Sequence, residues 1–148
     1  MKIAHNVKLS VFAYEGEDIN RIEQAFLFLL PFNPEDEKLK IKRTTAVGFK
    51  ERRIAIFEIM LTKERHTSKF LGFLKNALSE DQRSLVLRQA ESRLDQELNF
   101  FIRLDKQHLL DKEFSVTDSG NCFHIRISVA AYPAKRAVAL KIVRQWLE

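Results

Sequence analysis

Cysteine is almost absent from this chain: Cys122 stands alone, which excludes an intramolecular disulfide and any cysteine-rich zinc site. Four glycines and three prolines leave little material for flexible linkers, and none of the glycines stands in a phosphate-cradling Gly-x-x-x-x-Gly-Lys run. The longest apolar stretch, Ala25 to Phe32, falls far short of the roughly 20 residues that a membrane helix needs. The first residues hold no apolar run followed by a small-residue cleavage site, so no standard export signal is read there. Together these absences imply a soluble protein in a reducing, cytoplasmic setting, without a membrane partner.

What remains is 148 residues with a globular balance of 45% hydrophobic and 30% charged side chains, enough for one domain over residues 1–148 with a real core. The net charge of +5 favours polyanionic partners without requiring one.

Val7, Leu9 and Val11 alternate with Lys8, Ser10 and Phe12, the period of a strand with one buried face. Ile19, Ile22, Phe26, Leu29 and Leu30 then recur at helical spacing until Pro31 ends the run. The segment KLKIKR, with Leu39 and Ile41 between lysines, reads as an exposed strand, and RRIAIFEIMLT from Arg53 reads as a strand apolar on both faces. These two are expected to form a hairpin across Gly48. Phe70 to Leu78 marks a second helix. Ser79 with Gln82 has the form of a capping box opening a third, with Leu87, Ala90 and Leu94 on its inner face. Leu98, Phe100, Ile102 and Leu104 alternate as a strand, residues 112–116 suggest a short edge strand, and Phe123 to Val129 alternate again. A last helix is expected to begin at Pro133. Several strands are joined by turns too short for parallel crossovers, so the expected fold is α+β: a two-layer sandwich of a mostly antiparallel sheet with helices on one face.

Residue spacings that carry chemistry are scarce in this chain. The histidines His5, His66, His108 and His124 lie on different elements and form no ligand-spaced pair, so no metal site is expected, and no cofactor. Cys122 and His124 share a strand face, but a cysteine there is more often a small buried filler, and no third group orients the pair. The junction Arg103-Leu104-Asp105-Lys106-Gln107-His108 holds acids and bases that do not converge in an extended chain, and Asp105 is more simply a helix cap. No catalytic residue is assigned, and the protein is not expected to be an enzyme.

The charge pattern is more informative. Lys38, Lys40, Lys42, Arg43, Lys50, Arg52 and Arg53 place seven cations within sixteen residues, with Glu51 the only acid among them. Such a hairpin can track a phosphate backbone, and Phe49 near its turn could stack on a base. Lysines on a sheet edge also serve to block edge-to-edge aggregation, and the pattern alone does not choose between the two. Arg103 and Lys106 offer a second basic patch. An alternative is a structural or adaptor protein acting through a sheet-mediated homodimer or other protein contact, since Ile54 to Leu61 is apolar on both alternations.

The stretch LNFFIRLDKQHLLDKEF, followed after a turn by HIRISVAAYPAKRAVAL, resembles an archaeal family of RNA-binding proteins that includes predicted exosome subunits. The resemblance implies a fold like that of ribosomal protein L5, RNA as partner through its phosphate backbone, association with exosome or ribosome components, and no catalytic activity. The segment AVGFKERRIAIF keeps Gly48 where the family has a Gly- and His-containing loop with an Asn-Pro element, and replaces the rest with basic residues. On this reading the RNA contacts are Lys40, Lys42, Arg43, Lys50, Arg52, Arg53, Arg103 and Lys106.

Overall fold

The computed structural model describes residues 2–148 apart from the side chain of Phe49, so the stacking role read for that ring lies outside the described residues. Five strands form one antiparallel sheet, β1 (Ala4–Tyr14), β2 (Lys42–Val47), β3 (Arg53–Leu61), β4 (Asn99–Asp105) and β5 (Cys122–Val129), in the order β2-β3-β1-β5-β4. Six helices pack against it: α1 (Ile19–Phe28), α2 (Glu64–Ala77), α3 (Glu80–Arg88), α4 (Ala90–Arg93), α5 (Lys106–Leu110) and α6 (Arg136–Leu147). The α+β class read from the sequence is the class observed.

The residues group into two compact units. One comprises the chain up to Lys8, Met60–Ile102 and Ile125–Glu148, and holds α2, α3, α4 and α6. Phe70, Leu71 and Leu74 of α2 and Ala139, Val143 and Trp146 of α6 are buried, because each helix repeats its apolar residues at three- and four-residue intervals. Trp146 is buried with its one polar atom satisfied, Nε1 donating to the Leu71 carbonyl at 3.0 Å. Ser79 caps α3 by accepting from the Gln82 N–H, as the sequence motif suggests. Arg83 turns back onto the carbonyls of Lys75 and Leu78, acceptors that the end of α2 leaves without helical partners. The last helix begins at Arg136, three residues beyond Pro133, so the proline precedes the helix instead of opening it.

The second unit comprises Leu9–Ile59 and Arg103–His124, with α1 packed on α5. Asp18 accepts from the Arg21 N–H and starts α1 after a turn in which Gly16 takes φ +94°, a conformation that costs glycine little. The strand expected at KLKIKR begins later. Lys38 sits at φ 57° and the Leu39 N–H bonds back to the Pro34 carbonyl, so the acidic loop closes as a turn and β2 starts only at Lys42. From there the hairpin with β3 is regular, Lys42 facing Glu58 at one end and Val47 facing Arg53 at the other. Residues 112–116 form no strand. Lys112 takes φ 63° to end α5, and the chain meets β4 later, over residues 115–117: Val116 bridges to Leu104, the Ser115 carbonyl accepts from the Asp105 N–H at 2.8 Å and the Thr117 N–H donates to the Arg103 carbonyl at 2.9 Å.

Candidate nucleic-acid interface

Every hairpin cation in the RNA-contact reading is exposed: Lys40 ahead of β2, Lys42 and Arg43 on it, Lys50 and Arg52 in the connecting loop and Arg53 opening β3. Alternation divides them, since neighbouring residues of a strand point to opposite faces. Arg43 stands opposite Phe57 and lays its guanidinium over that ring, 5.4 Å from the centroid. With Arg53, Tyr14, Glu15 and Glu17 it borders a cleft of ≈ 330 Å³. Lys50 and Arg52 instead border a cleft of ≈ 360 Å³ with Tyr14, Glu15 and Ile54. Four of the hairpin cations thus border two clefts that have Tyr14 and Glu15 in common.

The loop that carries Lys50 is tightly built. Gly48 donates its N–H to the Arg52 carbonyl at 2.7 Å, and a Cβ at residue 48 would lie 2.6 Å from Ile54 Cδ1, so only glycine fits without moving that side chain. Lys50 and Glu51 both hold left-handed backbone, φ 60° and 58°, which costs non-glycine residues roughly 1 kcal/mol each. Glu15 ties the hairpin back to the end of β1 by accepting from the Arg53 N–H at 3.3 Å.

The junction at the end of β4 has a different character. Asp105 caps α5, accepting from the His108 N–H at 3.0 Å and meeting the His108 ring at 2.6 Å through Nδ1. That side-chain bond, with the backbone N–H of His108, holds the Asp105 carboxyl below its usual range, and in turn it raises the imidazole of His108. Arg103 is exposed and donates to the Asp118 carbonyl at 3.2 Å.

Lys106 is 1% exposed. Its ammonium donates to the Phe12 carbonyl at 2.7 Å and to both Glu17 oxygens at 3.1 and 3.3 Å, and lies over the Tyr14 ring, 5.0 Å from the centroid. Glu17 also accepts from the Tyr14 N–H at 2.8 Å, so one carboxylate satisfies a buried cation and the strand end together. Lys106 and Arg103 thus form no joint patch. The lysine is enclosed by its own unit and presents no charge at the surface.

Phe12 and Tyr14 are functional candidates that charge counting misses. They occupy the outward positions of β1, 38% and 39% exposed, with rings edge to face at 6.4 Å. His124 on β5 lies 6.1 Å from the Phe12 ring, its pKa lowered by burial and then by the Arg103 and Lys106 charges. The available signal is parity: Val7, Leu9, Val11 and Ala13 fill the inward positions of β1, leaving two aromatic residues on the side that Lys8 and Ser10 mark as outward. Cys122 touches the His124 ring at 3.6 Å, but it is buried and its thiol is pushed up by desolvation, the opposite of an activated nucleophile. Among the described residues no three His, Cys, Asp or Glu side chains gather to hold a metal, and no helix is long and apolar enough to cross a membrane.

Comparison with known proteins gives these features a context. A family model described as RNA binding matches residues 6–129. An RNA-binding protein of Pyrococcus abyssi is 31% identical over 147 residues, 98% of this chain and 94% of that one. Among solved structures, a protein of Archaeglobus fulgidus superposes with a TM-score of 0.86 at 28% identity, covering 98% of this chain and 99% of that chain. One of Methanothermobacter thermautotrophicus gives 0.79 at 27%, covering 99% of each. The chain belongs to the RNA-binding family that the model describes.

Proposed function

We propose that this member of the RNA-binding family binds single-stranded or looped RNA without catalysing a reaction, through the surface where β1 ends beside the hairpin loop. The observation that carries the reading is the pairing of unlike groups there: Tyr14, an exposed aromatic ring, shares a cleft with the cations Lys50 and Arg52. Unpaired bases present π-faces that stack on such rings, and their phosphates are neutralised by Lys and Arg, whereas a duplex hides the bases. Phe12 extends the aromatic surface along β1. Lys40, Lys42, Arg43, Arg53 and Arg103 supply further exposed charge for the backbone. Lys106 takes no part in it, because its ammonium is already enclosed by Glu17 and the Phe12 carbonyl.

The finer setting implied by the family resemblance, an L5-like cytoplasmic protein working with exosome or ribosome components, belongs to the same proposal. A second reading, a homodimer through the outward face of β3, draws on the half-buried Ile54 and Ile56. Sedimentation at high concentration decides it, a stable dimer for and a clean monomer against.

RNA binding itself is tested by salt titration with single-stranded RNA, structured RNA and duplex DNA. The expected result is tightest binding to the single strand, with affinity falling log-linearly as salt rises. Equal binding to all three would reduce the protein to a merely basic one.

A further inference from the structure

The cleft beside Tyr14 has features that a generic phosphate track does not need. Its ≈ 360 Å³ lies near the lower end of small-ligand pockets, room for one nucleotide and not for a stem. Of the residues bordering it, Tyr14 and Ile54 offer apolar surface to a base, and Lys50 and Arg52 offer charge to a phosphate. Glu15 fits neither role. A carboxylate beside a polyanion repels it, so a cleft meant only for backbone would do better without one.

Glu15 is also held in place. One of its oxygens accepts from the Arg53 N–H at 3.3 Å, which fixes the carboxylate to the start of β3 and leaves further lone pairs available. Nor does the Tyr14 ring stand alone. The buried ammonium of Lys106 sits over it at 5.0 Å, and Glu17 holds both that ammonium and the Tyr14 N–H, so the ring's backbone and one of its neighbours are fixed before any ligand arrives.

We propose that the cleft formed by Tyr14, Glu15, Lys50, Arg52 and Ile54 is a single-nucleotide subsite that selects guanine from unpaired RNA. The base stacks on Tyr14, Lys50 and Arg52 meet its phosphates, and the carboxylate of Glu15 reads its edge. A carboxylate only accepts hydrogen bonds. Guanine is the one RNA base with two adjacent donors, N1–H and N2–H, on its Watson–Crick edge. Adenine and cytosine present one amino group there, and uracil presents a single N3–H flanked by two carbonyl oxygens that a carboxylate repels. The subsite rests on the RNA-binding reading and adds a base preference to it.

The test uses the whole chain and labelled RNA pentamers, all uridine or with guanosine, adenosine or cytidine at the centre. The guanosine pentamer is expected to bind ~10-fold tighter than the all-uridine one, the discrimination of one good bidentate pair. Glu15→Gln, an exposed and nearly isosteric change whose thermal unfolding should match that of the parent, is expected to remove most of the preference while uridine binding holds or improves. Tyr14→Ala is expected to weaken all four. Equal binding of the four pentamers, or a guanosine preference that survives in Glu15→Gln, overturns the subsite and leaves RNA binding standing. Failure of every pentamer and of longer single strands at low salt overturns both.

Discussion

Arg52 and Lys106 look alike in the sequence, each a cation beside a strand end and within reach of acidic neighbours, but the fold treats them in opposite ways. Arg52 stands exposed at the rim of a cleft. Lys106 is closed off from water, with a carbonyl, a carboxylate and an aromatic ring around its ammonium. A buried ammonium survives only where its lost hydration is replaced by partners of this kind, so a cation that has them is committed to its own fold. Charge counts along a chain cannot register that distinction. Long-range partners can: Phe12 and Glu17 lie far from Lys106 in sequence and meet it only once β1 is in place.

The largest expected effect is at the buried member of this comparison. Lys106→Ala removes the ammonium, strands the Phe12 carbonyl and leaves a cavity where the four-carbon stem lay, and should cost ~3 kcal/mol in urea unfolding. Unchanged stability accompanied by lost RNA affinity would break the comparison, since Lys106 would then be serving a ligand. Glu17→Ala should approach the same loss by leaving the lysine without its counter-charge.

At the exposed member the expectation reverses. Arg52→Glu with Arg53→Glu should leave the free energy of unfolding in urea within ~0.5 kcal/mol of the parent's, as surface changes do. The same pair should weaken single-stranded RNA binding ~10-fold or more and flatten its logarithmic salt dependence by about 1.4, the share of two phosphate contacts. An unchanged salt slope would take the hairpin out of the proposal.

Asp105 sharpens the contrast from beside the buried lysine. Asp105→Ala deletes the cap of α5 and should cost ~1 kcal/mol. Asp105→Asn retains a capping oxygen, so it isolates the contact with His108.

The smallest effect is the pH dependence of that contact. His108 is raised above 6.5 in the folded protein by its bond to Asp105, so the stabilisation it brings is complete below pH 6.5 and is lost as the pH rises through the raised value. Imidazole resonances followed by NMR should titrate above 6.5 in the parent and return toward it in Asp105→Asn. A parent value at or below 6.5 would show that the contact is not made in solution.

The legible part of this fold is the part governed by period. β1, β4 and β5 announce themselves by alternation, β3 by an apolar run, and the helical stripes of α1, α2 and α6 by three- and four-residue spacing, because burial is a local property of the pattern. What misleads is where the backbone turns without glycine. Lys38 and Lys112 adopt left-handed conformations, and each displaces a strand that the side chains seemed to promise. The exposed cations of the candidate surface were legible for the same reason as the strands. Its aromatic half was visible only in the parity of Phe12 and Tyr14, and the division of the hairpin cations between two clefts only in the register of β2 on β3.

The central claim is one of location: RNA meets the unit that carries the hairpin, at the end of β1. Backbone amide shifts of isotope-labelled protein titrated with a single-stranded RNA test it directly. The largest changes are expected at residues 12–17 and 50–54, with smaller ones at Arg103 and His124. Changes concentrated on α2, α3 and α6 instead would contradict it.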